Sequence, residues 1–379
     1  MHVLVLPSWY PTTERPQSGL YFVDQAAALA RAGLRVGVLY PELQSLRHGS
    51  LRRLRRKHFQ CAFHTERGLP TLRQYGWNVL WRSPLRFDLR IWMAERLARR
   101  YVARMGIPDV IHAHSARWAA SAAARIGTWL SRPYVVTEHF TGFRRAILSA
   151  RERRLAREGF GQAAAVLAVS ASLRGVLETT GMVPGGRIQV VPNMVDDALF
   201  TRPPAPREAA SFRFFALGHL HPWKGYHVLL DAFHRAFADA PHVRLTIGGD
   251  GPEAERLQRQ ARRQGLAGRV TFCGAMTRPA VRNALWASNA FVHPSFQETF
   301  GVVLIEAMAT GLPVISTACG GPEELVTPAS GALVPPRDPE ALAREMQGLV
   351  DAYDTYDPAA IHRYAVEQFG TRAVAARLV

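Results

Sequence analysis

The chain has 379 residues, enough for two domains that each bury a core of their own. Hydrophobic residues make up 48% and charged residues 20%, which excludes a disordered or fibrous chain. The net charge of +17 is one-sided: residues 1–200 carry 29 Lys and Arg against 13 Asp and Glu, residues 201–379 carry 18 against 17.

The densest basic run, Arg47 to Lys57, holds Arg52, Arg53, Arg55 and Arg56. Such an excess points to an acidic partner before a merely solvated face. An anionic membrane surface attracts each basic residue by about 1 kcal/mol. Nucleic acid ranks last, because aromatic residues for base stacking are thin in that run. Cys61, Cys273 and Cys319 lie far apart, without metal-ligand or disulfide spacing, and read as buried thiols in a reducing cytoplasm. Met1-His-Val-Leu-Val-Leu-Pro7 is too brief for a signal peptide, and no stretch approaches the roughly 18 apolar residues that span a bilayer.

In chain order, His2–Leu6 predicts a strand, Phe22–Ala32 a helix and Arg35–Tyr40 a strand. Asp88–Met105 follows as an amphipathic helix, with strands at Asp109–Ala113, Tyr134–Thr137, Ala164–Val169 and Arg187–Val191. Phe200-Thr-Arg-Pro-Pro-Ala-Pro-Arg207 cannot sit inside a core element and reads as a linker. The same grammar then restarts. Strands are predicted at Arg213–Leu217, Val243–Ile247, Val270–Phe272, Ala290–His293 and Pro313–Ser316. Helices are predicted at Tyr226–Ala238, Glu253–Gln264, Val281–Ala287, Val302–Ala309 and near Ala359–Leu378. Strands alternating with helices mean parallel sheets covered on both faces, and two doubly wound units in tandem.

Ligands bind such sheets beyond the carboxyl ends of their strands, and the chemistry-bearing residues cluster there. Glu298 falls in the loop before the Val302–Ala309 helix and Glu306 inside it, so both carboxylates and the free N–H groups of the helix start can face one pocket. Carboxylates take vicinal hydroxyls and a helix N-terminus takes phosphate, which together describe a nucleotide-sugar. Gly218-His-Leu-His-Pro-Trp-Lys-Gly225 follows a strand directly, and Lys224 is one of only two lysines in an arginine-rich chain, the other being Lys57. In the first half, Asp109-Val-Ile-His-Ala-His-Ser115 puts His112 and His114 on one side of a strand, with His114 at the crevice end.

The segment Ser295 to Ser316 resembles the donor-binding signature of the retaining glycosyltransferases of family 4. Thr299 stands where the family's Glu-Gly-Phe-Gly has its first glycine. Ile247-Gly-Gly-Asp-Gly-Pro-Glu253, Phe272-Cys-Gly274 and Gly320-Gly-Pro-Glu-Glu324 resemble further family turns, in family order. Pro7-Ser-Trp-Tyr-Pro-Thr12 with Gly19 is similar to the first loop of a subgroup found in surface-polysaccharide synthesis. Lys224 matches the family's Lys-Gly, whereas His219 replaces its arginine.

The resemblance implies an α/β fold of two Rossmann-like domains facing across a cleft (GT-B), with a C-terminal helix packing back on the first domain. It implies residues 1–195 as acceptor domain, 196–211 as linker, 212–358 as donor domain and 359–379 as the returning helix. The catalytic residues implied are Glu298 on the donor sugar, Lys224 on the leaving diphosphate and His114 on the transferred sugar. Glu306 is implied for the ribose hydroxyls, and His219, Gly19, Phe300, Gly301, Val302, Gly249 and Gly274 for the rest of the donor. Glu138 and His139 could contact the acceptor. The donor expected is a UDP-, GDP- or ADP-sugar, and the acceptor a saccharide or a lipid-linked saccharide at the inner face of the plasma membrane. No Asp-any-Asp triplet occurs, so neither a metal nor any other cofactor is expected. A competing expectation, motivated by His219, is a non-catalytic binding protein of the same fold.

Overall fold

The computed structural model describes residues 1–44, 59–80, 83, 85–186, 188–205 and 211–379. The basic run Arg47 to Lys57 lies outside them, as do residues 206–210, which include the end of the proline-rich stretch. The chain forms two compact units, Met1–Pro192 with Ala375–Val379, and Asn193–Val374.

The first unit is built on β1 (His2–Pro7), β2 (Arg35–Gln44), β3 (Cys61–Glu66), β4 (Leu69–Trp77), β5 (Val110–His114), β6 (Tyr134–Glu138), β7 (Ala165–Ala168) and β8 (Ile188–Val190). They form one sheet in the order β3-β4-β2-β1-β5-β6-β7-β8. Each neighbouring pair is parallel except β3–β4, an antiparallel hairpin at the edge. Continuous apolar runs such as Val3–Leu6 are buried on both faces, as a helix-covered parallel sheet requires.

The second unit holds β9 (Phe212–Leu217), β10 (Val243–Gly248), β11 (Val270–Gly274), β12 (Ala290–His293), β13 (Val314–Thr317) and β14 (Gly331–Val334). Their order is β11-β10-β9-β12-β13-β14, parallel throughout. Strand order therefore reverses between β9 and β12, and likewise between β1 and β5 in the first unit. A crevice opens at each reversal, because the two flanking connections leave in opposite directions.

Two kinds of helix start bear on the site. Ser149, Ser170, Thr277, Asp338 and Asp357 cap their helices with side-chain oxygens, and Ser149 forms a full capping box with Glu152. The Leu20–Arg31, Tyr226–Phe237 and Val302–Ala309 helices instead begin at left-handed glycines, Gly19, Gly225 and Gly301, with no side-chain cap. All three start beside a crevice.

Two boundaries differ from the sequence expectation. The units divide at Pro192/Asn193, upstream of the proline-rich stretch, because residues 193–200 pack on the second unit. Val195 N–H, for instance, donates to Phe369 O at 2.9 Å. The single returning helix expected over 359–379 is two helices, Pro358–Phe369 and Thr371–Leu378, broken at Gly370. The first lies against the Val302–Ala309 helix, where His362 Nδ1 meets Ala309 O at 2.5 Å. Only Ala375–Val379 group with the first unit.

Candidate functional site

In the second unit the Gly218–Gly225 loop leaves β9 and the Pro294–Gly301 loop leaves β12. Phe296 N–H donates to Trp223 O at 2.8 Å and ties the loops together. The left-handed Gly225 (φ 70°) sits hard against the Pro294 carbonyl, where a Cβ would collide. This close approach brings Lys224 Nζ to 2.5 Å from Glu298 Oε2. His293, at the end of β12, places Nε2 3.5 Å from the same oxygen.

Burial tends to raise the Glu298 pKa, but the Lys224 charge and the His293 contact outweigh it and hold the carboxyl well below its usual range. Glu298 is therefore anionic at neutral pH. His293 is shifted down, first by burial and further by Lys224, against the pull of Glu298, so it is neutral. The backbone of Glu298 is fixed as well: its N–H donates to Cys319 O at 3.2 Å and its carbonyl accepts from Gly321 N–H at 3.1 Å. The Gly320–Glu324 turn thus braces the Glu298 loop.

Glu306 is buried in the Val302–Ala309 helix. Arg278 Nη2 lies 3.9 Å from Glu306 Oε1, and Arg278 Nη1 lies 3.7 Å from Asp196 Oδ2. Phe300 is buried edge-on to Phe369, so only its backbone is available to a ligand. Gly301 and Val302 open the uncapped helix start, whose first N–H groups have no helical acceptor. Gly249 N–H donates to Gly274 O at 2.7 Å, which sets these two glycines side by side at the carboxyl ends of β10 and β11, with Gly249 against the Gly218 carbonyl. His219 is exposed, and its ring stacks on His221, which stacks on Trp223, at 4.4 and 4.1 Å between centroids.

In the first unit, Ser8 N–H donates to His114 O at 3.0 Å where β1 and β5 end together. Gly19 holds its helix start within 2.6 Å of Trp9 O, counted from where a Cβ would stand. His114 Nδ1 and His139 Nε2 lie 3.2 Å apart, and the His112 ring lies 4.2 Å from that of His114. Burial, then the neighbouring imidazoles, push the His114 pKa well down, and burial takes that of His112 down to about 4. His114 is fully buried, and its Nε2 has no hydrogen-bond partner among the described residues.

Glu138 departs from the expected acceptor contact. It is fully buried, and its carboxylate accepts the N–H groups of Ala116, His139 and Phe140 at 2.7–2.8 Å. With its oxygens bonded to the backbone, it fixes the shape of the loop. Sequence reading missed His293, Arg278 and Asp196. The position of His293 at a strand's carboxyl end was a usable signal, whereas Arg278 and Asp196 meet only through the fold. Among the described residues no group of three His, Cys, Asp or Glu is arranged to hold a metal ion.

The pattern of two Rossmann-like units, each with a crevice at its switch point, matches known proteins along nearly its whole length. The family model "Glycosyltransferase Family 4" matches residues 18–199, and "Glycosyl transferases group 1" matches residues 211–352. The chain belongs to the family 4-like glycosyltransferases. A putative teichuronic acid biosynthesis glycosyltransferase of Bacillus subtilis is 27% identical over 374 residues, 90% of this chain and 87% of that protein. A component of the Arabidopsis thaliana phosphatidylinositol N-acetylglucosaminyltransferase is 28% identical over 199 residues, 52% of this chain and 44% of that protein. The chain thus spans less than half the length of that plant relative.

Among solved structures, sucrose-phosphate synthase from Thermosynechococcus elongatus superimposes with TM-score 0.76 at 21% identity, over 100% of this chain and 97% of that one. Anabaena HepE, in complex with UDP and glucose, gives TM-score 0.76 at 22% identity, over 100% and 98%. At such identities the likeness establishes the GT-B fold of this family 4-like chain.

Proposed function

We propose that this protein transfers a sugar from a nucleotide-sugar to a saccharide or lipid-linked acceptor, with retention of configuration and without a metal ion. The observation that carries this reading is the Lys224–Glu298 pair at the β9/β12 switch point, set beside helices that start at Gly225 and Gly301. The ammonium and the uncapped N–H groups suit a diphosphate, and the anionic Glu298 suits sugar hydroxyls. Glu306 takes the ribose hydroxyls, with Arg278 holding its charge in place.

In the step proposed, the bond from the anomeric carbon to the diphosphate oxygen breaks while the acceptor oxygen bonds to that carbon on the same face. The acceptor hydroxyl proton passes to the leaving diphosphate oxygen. Lys224 stabilises the charge that develops there, and His114, neutral and with Nε2 unspent, bonds the transferred sugar. Solved structures of the same fold with UDP bound favour a nucleotide donor. The teichuronic acid relative favours a role in surface polysaccharide synthesis, and the basic excess of residues 1–200 favours a place against an anionic membrane face. Exposed Trp92 and Trp129, each beneath an arginine (Arg96 and Arg99), supply the amphipathic surface such a location needs. No helix among the described residues is long and apolar enough to cross a membrane.

A thermal-shift screen against UDP-, GDP- and ADP-sugars tests the reading: one class should raise the melting temperature and be consumed when acceptor is added. Stabilisation without turnover would favour the second reading, a non-catalytic binding protein, for which His219 in place of the family arginine is the motive. No response to any nucleotide-sugar would sink both.

A further inference from the structure

A cavity of about 590 Å³ lies wholly within the first unit, and its lining plays no part in the donor crevice of the second. Four arginines face it, Arg15, Arg86, Arg90 and Arg117, against two acids, Glu14 and Glu42. Glu42 is neutralised from behind by Arg73 at 2.7 Å, and Arg117 is committed to Glu152 at 2.8 Å. Arg15 and Arg90 have no carboxylate partner among the described residues. Arg90 is held by a ring, its guanidinium 5.9 Å from the Trp118 centroid, and by a 3.5 Å contact to Pro41 O. An aromatic ring fixes an arginine without using up its N–H donors, which leaves them for an anion. Asn78 also lines the cavity, and its Oδ1 is buried with no partner among the described residues, an acceptor waiting for a hydroxyl.

The cavity adjoins the imidazole crevice. Of the two serines that line it, Ser8 immediately follows β1 and Ser18 precedes Gly19. Trp9, in its wall, packs on Phe22, and the Phe22 ring lies 4.8 Å from that of His114. Aromatic faces beside arginines and hydroxyl acceptors make a saccharide site with a demand for negative charge.

We infer that this cavity binds the acceptor, and that the acceptor is a saccharide carrying a phosphate or carboxylate, its anion held by Arg15 and Arg90. The assignment of the ligand as acceptor rests on the proposed sugar transfer.

Calorimetric titration with glucose 1-phosphate, glucuronate and glucose tests it, with UDP titrated in parallel. The anionic sugars should bind at least about 10-fold more tightly than glucose, and the stronger of the two tells phosphate from carboxylate. The double variant R15Q/R90Q should lose at least about 10-fold for the anionic sugars while its affinity for UDP stays unchanged. Arg15 is exposed, so R15Q alone is safe for folding and should still weaken anion binding about 3-fold should the double variant melt early. Equal binding of glucose, or undiminished anion binding by the variants, would overturn the inference even with UDP bound normally. Arginine-dependent anion binding in a protein that ignores every nucleotide-sugar would instead leave the cavity's chemistry standing and remove the donor reading.

Discussion

The two switch-point crevices share a reversal of strand order and a glycine-started helix, yet their electrostatics are opposite. The second unit gathers full charges, with Lys224 and Glu298 in contact and His293 beside them. The first gathers His112, His114 and His139, the first two held neutral by burial. Under the proposed function, the charged crevice suits a diphosphate and the neutral one suits hydroxyls. One scaffold can be tuned either way by the residues at its strand ends.

The sharpest way to break this contrast is to remove one side chain from each crevice. Glu298→Ala should lower transfer about 10²–10³-fold, the scale of a lost electrostatic contact to the reacting group. His114→Ala should cost about 10-fold, the scale of one neutral hydrogen bond. Initial rates at saturating donor, with circular dichroism as the folding control, decide it, and the reverse order would undo the contrast.

Acid provides the next largest effect. A histidine with its folded pKa depressed binds its proton more readily when unfolded, so its stabilising share is complete above the ordinary pKa of about 6.5 and is lost as pH falls. For His112, taken down to about 4, this amounts to about 3 kcal/mol by pH 4. Hydrogen exchange should show β5 and β6 opening between pH 6 and 4, and His112→Gln should flatten that dependence. The Lys224–Glu298 pair should persist through the same interval, because the Glu298 carboxyl stays ionised below the usual carboxylate range.

The smallest effect separates the two kinds of helix start. Ser149→Ala should cost about 1 kcal/mol in denaturant unfolding and leave nucleotide affinity unchanged. Gly225→Ala, forced to a positive φ against the Pro294 carbonyl, should weaken nucleotide binding as well as stability.

The alternation of strands and helices was legible because parallel strands are continuous apolar runs, and the partnership of the Lys224 and Glu298 loops because both follow strands. The β3–β4 hairpin was not. Its two-residue turn is Arg67-Gly68, both at positive φ, where the legible signal would be Asn-Gly or Asp-Gly. Glu138 read as a crevice acid because its strand ends there, but its own turn claims one oxygen through the N–H groups of His139 and Phe140, and the fold brings Ala116 N–H from the loop after β5 onto the other. The Arg278–Glu306 and Arg278–Asp196 contacts join three separate segments, so no spacing within any one of them announces the set.

Lysine is so scarce here that the ammonium beside Glu298 is nearly alone as a side-chain amine: the sequence offers only Lys57 and Lys224 to an amine-acylating reagent. Occupancy can therefore be followed by mass spectrometry of the intact chain. Protection of a single acetyl increment, mapped to the peptide bearing residue 224, would report a filled site without any coupled assay.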